Sequence, residues 1–314
     1  MDIRRYTPEM KPLWDRFVRE SRNATFLLTR DYMEYHADRF TDCSFLFLDD
    51  KGRVESLLPG SLHGDELRSH GGLTYGGFVL GPHSSGASPA NPETWLKALC
   101  PVLKGEGVSR ILYKPVPHIY HRYPAEEDLY ALWRLGATLS CRNLATVIDV
   151  SAPMRSSRLG KRAVKRREAA GISVRQTADA REFWQIIVDD RRVRHNTTPV
   201  HMLGEMQSLR DKFPDEILFF VAEAAGEVLA GAVIYKAGGV LHLQYAAATV
   251  AGKELYAVDV IYNSLVFDVL SDARWFDFGT SNEDGGRYLN EGMVRHKEEF
   301  GGRSIVYDQY TLTL

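Results

Sequence analysis

Apolar positions along the chain follow helical and strand-like rhythms, and the order of those rhythms is nearly the same in its two halves. Near the start, Arg5-Tyr6-Thr7 leads into Trp14, Phe17 and Val18, spaced as one face of a helix. The pattern returns 170 residues later, where Arg175-Gln176-Thr177 leads into Trp184, Ile187 and Val188. Each opening predicts a short strand running into an amphipathic helix. A second helical stretch ending in Phe follows each, at 31–40 and 201–213. Hairpins come next. Strands at 44–48 and 54–58 flank Asp50-Lys51-Gly52-Arg53, and strands at 217–221 and 228–235 flank Ala225-Gly226-Glu227. Gly52 and Gly226 hold matching turn positions, where a positive φ is cheap only for glycine.

A third strand is expected in each half, at 72–80 and 241–249, with Tyr75 and Tyr245 again 170 apart. Then come a helix (95–103; 255–270), a buried strand (110–115; 275–279), a helix closing at a glycine (127–136; 290–301) and a last strand (144–150; 304–312). The shared order is β-α-α-β-β-β-α-β-α-β, and its matched Trp, Gly and Tyr landmarks argue for an internal duplication. Between the copies, a helix is expected from about 157 to 170, stopped by Gly171. The expected organisation is a first domain at 1–150, a basic linker helix at 151–171 and a second domain at 172–314.

Composition narrows the class. With 314 residues, 44% apolar and 25% charged, the chain is globular in type, which excludes a collagen, a coiled coil or wholesale disorder. Lys and Arg number 39 against 41 Asp and Glu, a net charge of −2. There is no global basic field, so any anion site is local. Cys43, Cys100 and Cys141 are far apart with no CxxC pair, against a disulfide framework or a cysteine zinc site and in keeping with a reducing compartment. The opening MDIRRYTPEM has no apolar core and no stretch reaches 18 apolar residues. Neither a signal peptide nor a membrane span is expected, and the expected placement is cytoplasmic. No GxxxxGK[ST], HExxH, GxSxG or GxGxxG occurs, and no metal site is expected.

The βααβββαβαβ unit resembles the GNAT acyltransferase fold, and two copies with a basic helix at their junction resemble the FemABX-like branch of that superfamily. The closing stretch carries the more specific likeness. Phe276-Asp277-Phe278-Gly279, then Asn290-Glu291-Gly292, then Lys297-Glu298-Glu299-Phe300-Gly301 is similar to the ending of FemAB-type sequences. Lys114-Pro115-Val116-Pro117 with Tyr120 is similar to its first-domain counterpart. The resemblance implies an α/β (α+β) chain of two tandem GNAT-like domains, each a mixed central sheet flanked by helices. It implies acyl transfer to an amine, with acetyl-CoA or another acyl-CoA as donor and an amine of a cell-envelope or polysaccharide precursor as acceptor. A second reading is an aminoacyl-tRNA-dependent ligase acting on a peptidoglycan precursor. A third is a catalytically silent GNAT pair that only binds a ligand.

The resemblance also nominates residues. GNAT domains cradle the CoA pyrophosphate with [QR]xxGx[GA]; the corresponding run here is Thr249-Val250-Ala251-Gly252-Lys253-Glu254, which keeps only Gly252. Gly252, Lys253, Tyr245 and Asn282 are the candidates for the cofactor. Lys297, Asp277, Tyr288 and His242 are the candidates for catalysis: Tyr288 as general acid, His242 as general base, and Lys297 as charge partner of an Asp277 that ends an apolar strand, where an unpaired carboxylate is costly. A solvated helix lysine is the alternative for Lys297. If Lys297 is catalytic, Lys297→Ala ends turnover and leaves the melting temperature nearly unchanged. Alternation puts His242 and Gln244 on one face of their strand and Tyr245 on the other. Gln244, Asn290, Arg192 and His195 are the acceptor-side candidates, since Arg suits an anionic ligand. Arg162 and Arg166 on the linker helix serve a solvated surface, an anionic membrane surface or precursor at the inner face of the membrane, or a tRNA.

Overall fold

The computed structural model describes residues 1–82, 90–151, 158–266 and 273–314. By contact the chain divides into two units. The first comprises Met1–Asn143, Asp284–Arg287 and Val306–Leu314; the second comprises Leu144–Glu283 and Tyr288–Ile305.

In the first unit the order is β1 (Asp2–Arg5), α1 (Lys11–Glu20), α2 (Arg30–Met33), β2 (Thr41–Asp42), β3 (Phe45–Leu48), β4 (Val54–Leu58), β5 (Ser61–His63), β6 (Glu66–Arg68), β7 (Val79–Leu80), α3 (Ala90–Gly105), β8 (Arg110–Tyr113), α4 (Glu127–Arg134) and the start of β9 (Thr138–Asp149). Trp14, Phe17 and Val18 form the buried face of α1, as their spacing predicts. Strands β1, β3, β4 and β7 make an antiparallel sheet. The expected strand at 72–80 is reduced to β7, because Gly72 (φ +112°) and Gly77 (φ +76°) leave the extended region. The hairpin β5–β6 takes its place, and β6 pairs with β8 in parallel. The expected helix at 31–40 likewise shortens to α2 and a 3-10 turn at Glu34–His36. Phe45, Phe47, Phe78, Trp95, Leu99 and Ile111 are central to this unit's core.

In the second unit the rest of β9 is followed by α5 (Arg158–Ala170), β10 (Ser173–Thr177), α6 (Trp184–His195), α7 (Leu203–Lys212), β11 (Ile217–Ala224), β12 (Glu227–Ala237), β13 (Val240–Ala248), α8 (Val250–Glu254), α9 (Ala257–Ser264), β14 (Trp275–Thr280), β15 (Asn282–Glu283), β16 (Tyr288–Leu289), α10 (Glu291–Glu299) and β17 (Arg303–Thr313), whose last part returns to the first unit. The second copy's predicted order is present throughout. Its expected helix at 255–270 is seen as α9; residues 267–272 lie outside the described residues. The strands run in the order β10-β11-β12-β13-β14-β9, antiparallel except for β13 beside β14. Leu218, Phe220, Ala230, Ala232, Phe276 and Phe278 pack with α9 residues on one face. On the other, Trp184 of α6 meets Tyr245 of β13 edge-on, centroids 5.6 Å apart.

Candidate functional site

The two parallel strands β13 and β14 pair only over Val240↔Trp275, Leu241↔Phe276 and His242↔Asp277. Beyond that point the pairing stops, so the last paired residues stand where the sheet begins to open. His242 Nδ1 lies 2.7 Å from Asp277 Oδ2; the carboxylate is fully buried, while the imidazole keeps 14% of its side-chain surface exposed. A carboxylate can only accept, so Nδ1 carries the proton and Nε2 presents its lone pair. Among the described residues Nε2 has no hydrogen-bond partner.

Local chain geometry fixes the carboxylate. Asp277 Oδ1 accepts the N–H of Gly279 at 2.7 Å, an Asx-type turn two residues long. Gly279 sits at φ +70°, a conformation costly for any residue with a Cβ. That bend turns the next groups toward α10. Lys297 Nζ donates to Gly279 O at 2.9 Å, Thr280 O at 3.1 Å and Ser281 Oγ at 2.8 Å. An ammonium has three protons, and all three are committed. Burial lowers the Lys297 pKa from 10.5 to about 8, against the pull of the Asp277 charge. Phe278 and Phe300 meet in the core with centroids 6.0 Å apart. The Asp-Phe-Gly and Lys-x-x-Phe-Gly segments are therefore two sides of one clasp. Lys297 positions the Asp277 turn, and Asp277 Oδ2 accepts from His242 Nδ1. Removing Lys297 would leave two buried acceptors, Gly279 O and Ser281 Oγ, without this donor, so Lys297→Ala should lower the melting temperature rather than leave it nearly unchanged.

The strand carries a second departure from simple alternation. Val233 faces Tyr245 but Ile234 faces Leu243, so Gln244 is an extra residue, a β-bulge. Leu241, Leu243, Ala246 and Ala248 all pack in the α9-side core, a change of phase across Gln244. Tyr245 thus shares the face of His242, contrary to the expectation from strict alternation; one inserted residue reverses every later side chain. Tyr245 is buried, its hydroxyl 2.8 Å from His201 Nδ1, with Arg191 Cζ 5.9 Å from its ring centroid. Burial raises its pKa.

The other nominated residues are dispersed. Gly252 is a packing glycine: a Cβ there would come within 2.1 Å of Leu229 O, and its N–H goes to Thr249 Oγ1 at 3.0 Å. Lys253 pairs with Asp190 at 2.8 Å. Asn282 Oδ1 accepts from Leu144 N, and Asn290 caps α10 by accepting from Met293 N at 3.0 Å. Tyr288 is exposed on β16. Arg192, Arg162 and Arg166 are exposed, with Arg166 above the Tyr256 ring at 5.4 Å. The side chain of His195 lies outside the described residues. Among the described residues no cluster fit to hold a metal occurs, and no helix is long and apolar enough to cross a membrane. Sequence reasoning missed Ser281 and His201, whose roles come from tertiary contacts that no spacing announces.

Residues 155–289 match the acetyltransferase (GNAT) domain family. The whole chain is similar in fold to FemX, with 12% identity, a TM-score of 0.70, and 100% of this chain and 98% of that one covered. The chain has a FemX-like fold, and its second unit carries the GNAT-domain match. L-PGS from Bacillus licheniformis is similar at 14% identity, TM-score 0.59, covering 98% of this chain and 91% of that one. A tandem GNAT protein from the clavulanic acid biosynthesis pathway is similar at 11% identity, TM-score 0.50, covering 99% and 98%. At these identities the likeness is one of fold. No curated protein matches this chain in sequence.

Proposed function

We propose that this chain is an amine acyltransferase working in its second unit, with His242 as the general base and Asp277 as the carboxylate that fixes its tautomer. The observation that carries the reading is the Asp-bound imidazole, Nε2 unencumbered, at the point where β13 and β14 part. The GNAT-domain match over the same unit supports it. In the reaction the acceptor nitrogen forms a bond to the acyl carbon. His242 Nε2 takes a proton from that nitrogen, and the carbon's bond to the leaving group breaks with its electron pair. Asp277 stabilises the imidazolium that results.

An acyl-CoA donor would supply an activated thioester carbonyl. The opening beside β13 suits an extended acyl arm, whereas α8 suits a pyrophosphate poorly. Of its first N–H groups, that of Gly252 is taken by Thr249, Lys253 is paired with Asp190 and Glu254 adds an exposed carboxylate. This mismatch, together with exposed Lys161, Arg162, Lys165 and Arg166 along α5, favours a second reading in which the donor is an aminoacyl-tRNA. Arg191 and Arg192 would favour an anionic acceptor, such as the amine of a cell-envelope or polysaccharide precursor.

Titration calorimetry separates these readings. Saturable acetyl-CoA binding at about 1–100 μM, on the order of ordinary substrate affinities, supports the CoA donor. Binding of tRNA that falls steeply with salt, without acetyl-CoA binding, supports the second. Transfer undiminished in His242→Ala would refute the role of the dyad under either.

A further inference from the structure

The segment Lys114-Pro115-Val116-Pro117 takes no part in the chemistry proposed for the second unit. It follows directly on β8, within the first unit. Strands β6 and β8 pair in parallel as far as Arg68↔Leu112, and there the two chains part. The base of the opening is pinned twice. Lys114 N donates to Ser69 Oγ at 2.7 Å, and Gly76 N donates to Lys114 O at 2.8 Å. A Cβ at Gly76 would come within 2.0 Å of Ser69 O, so this closure requires glycine. Residues 70–75 loop out between the two contacts, with Leu73 buried and Gly72 and Thr74 exposed.

The half-buried side chain of Lys114 reaches that loop. Its Nζ donates to Leu73 O at 3.5 Å, the limit of a hydrogen bond. Among the described residues it has no other hydrogen bond and no carboxylate partner. Burial lowers its pKa, and the Arg68 charge lowers it further. Glu66 cannot help, because one of its oxygens is paired with Arg68 and the other with Arg110, both at 2.7 Å. The contrast is with Lys297, which gives its three protons to three oxygens between 2.8 and 3.1 Å away. Lys114 has two protons to spare and a charge that the fold does not offset, which is costly in a half-buried place. One uncompensated positive charge is matched by one negative charge. A carboxylate brings that charge and two oxygens to take the spare protons, whereas a phosphate dianion overshoots where Arg68 is already neutralised. We propose that Lys114 and the loop at 70–75 form a carboxylate-binding site in the first unit, where the ammonium holds the carboxylate of a small organic acid or of a peptide C-terminus.

The proposal does not rest on the acyl-transfer reading, and its test needs no turnover. Melting temperatures of the full chain are measured with about 20 mM benzoate or N-acetylglycine. The comparisons are benzamide and N-acetylglycinamide as uncharged counterparts, inorganic phosphate, and sodium chloride at matched ionic strength. At least one carboxylate should raise the melting temperature by about 3 °C or more, its amide should not, and Lys114→Met should lose the shift. A larger shift with benzoate supports a free acid, and one with N-acetylglycine supports a chain terminus. Without ligand, Lys114→Met should melt no lower than the parent, since the ammonium it removes has one weak partner; a lysine kept for structure would behave in the opposite way. The inference is overturned by the absence of any carboxylate-dependent shift, by a shift retained in Lys114→Met, by a larger shift with phosphate than with either carboxylate, or by a Lys114→Met chain that melts measurably below the parent.

Discussion

Replacing Lys297 by Met keeps an unbranched apolar stem and removes the ammonium from the clasp between α10 and the Asp277 turn. Three hydrogen bonds from a charged donor are lost; at about 1.5 kcal/mol each they amount to about 4–5 kcal/mol. Against this, burial that lowers the pKa from 10.5 to about 8 corresponds to about 3 kcal/mol returned when the charge disappears. The net loss is about 1–2 kcal/mol at pH 7, or about 2–8 °C in melting temperature for a unit of this size. Lys297→Ala loses more, because the stem also leaves a void. Alkaline pH gives the sharper signature. Below pH 8 the group is charged whether the chain is folded or unfolded. Between about pH 8 and 10.5 the unfolded chain still binds a proton that the folded chain has released, so parent stability gains up to about 1.4 kcal/mol per pH unit. Lys297→Met has no such proton, and the gap between the two proteins widens as pH rises. Urea unfolding of both proteins at pH 7, 8, 9 and 10 measures that gap. A gap that stays constant, or a variant as stable as the parent at pH 7, refutes the reasoning.

Asp277→Asn can still accept from Gly279 N but turns a donor toward His242, which moves the imidazole proton to Nε2; transfer should fall by about 10²–10⁴-fold in kcat, and an unchanged pH–rate profile would count against His242 as the base. Gly252→Ala forces a Cβ to within 2.1 Å of a backbone oxygen and should cost about 1–3 kcal/mol, seen as a lower melting temperature even without any donor present. Burial holds His70 neutral, its pKa lowered from 6.5 to about 3. As pH falls from 6.5 toward 3 the unfolded chain takes up a proton that the folded chain refuses, so stability drops by up to about 1.4 kcal/mol per pH unit, a slope that His70→Gln should reduce in acid titrations followed by circular dichroism.

Much of the fold was legible because it rests on periodicity. Trp184 and Ile187, like Trp14 and Phe17, announce a buried helical face, and Gly52 and Gly226 take the positive φ their turns demand, +76° and +83°. The strand at 72–80 misled because its apolar residues satisfy a strand pattern while Gly72 and Gly77 satisfy a bent backbone, and the backbone decided. The site was legible in membership more than in wiring. Asp277, His242 and Lys297 do converge, but their pairing is set by the Gly279 bend, a feature of φ. The Gln244 bulge inserts a residue against β12, and periodicity within β13 alone carries no trace of it. Ser281 and His201 are ordinary residues until distant segments meet them.

The division of β9 and β17 between the two units bears on how the chain comes to be folded. Val306–Leu314 belongs to the first unit, and β17 pairs with β8 through Tyr310↔Tyr113 to Thr313↔Arg110. During synthesis, which runs N-terminus first, the first unit therefore waits for Val306–Leu314 before β8 has its β17 partner. Strand β8 exposes one unpaired edge until β17 has been made, and such edges invite wrong partners. Loss of Val306–Leu314 would thus injure a unit whose other strands are made more than 150 residues earlier.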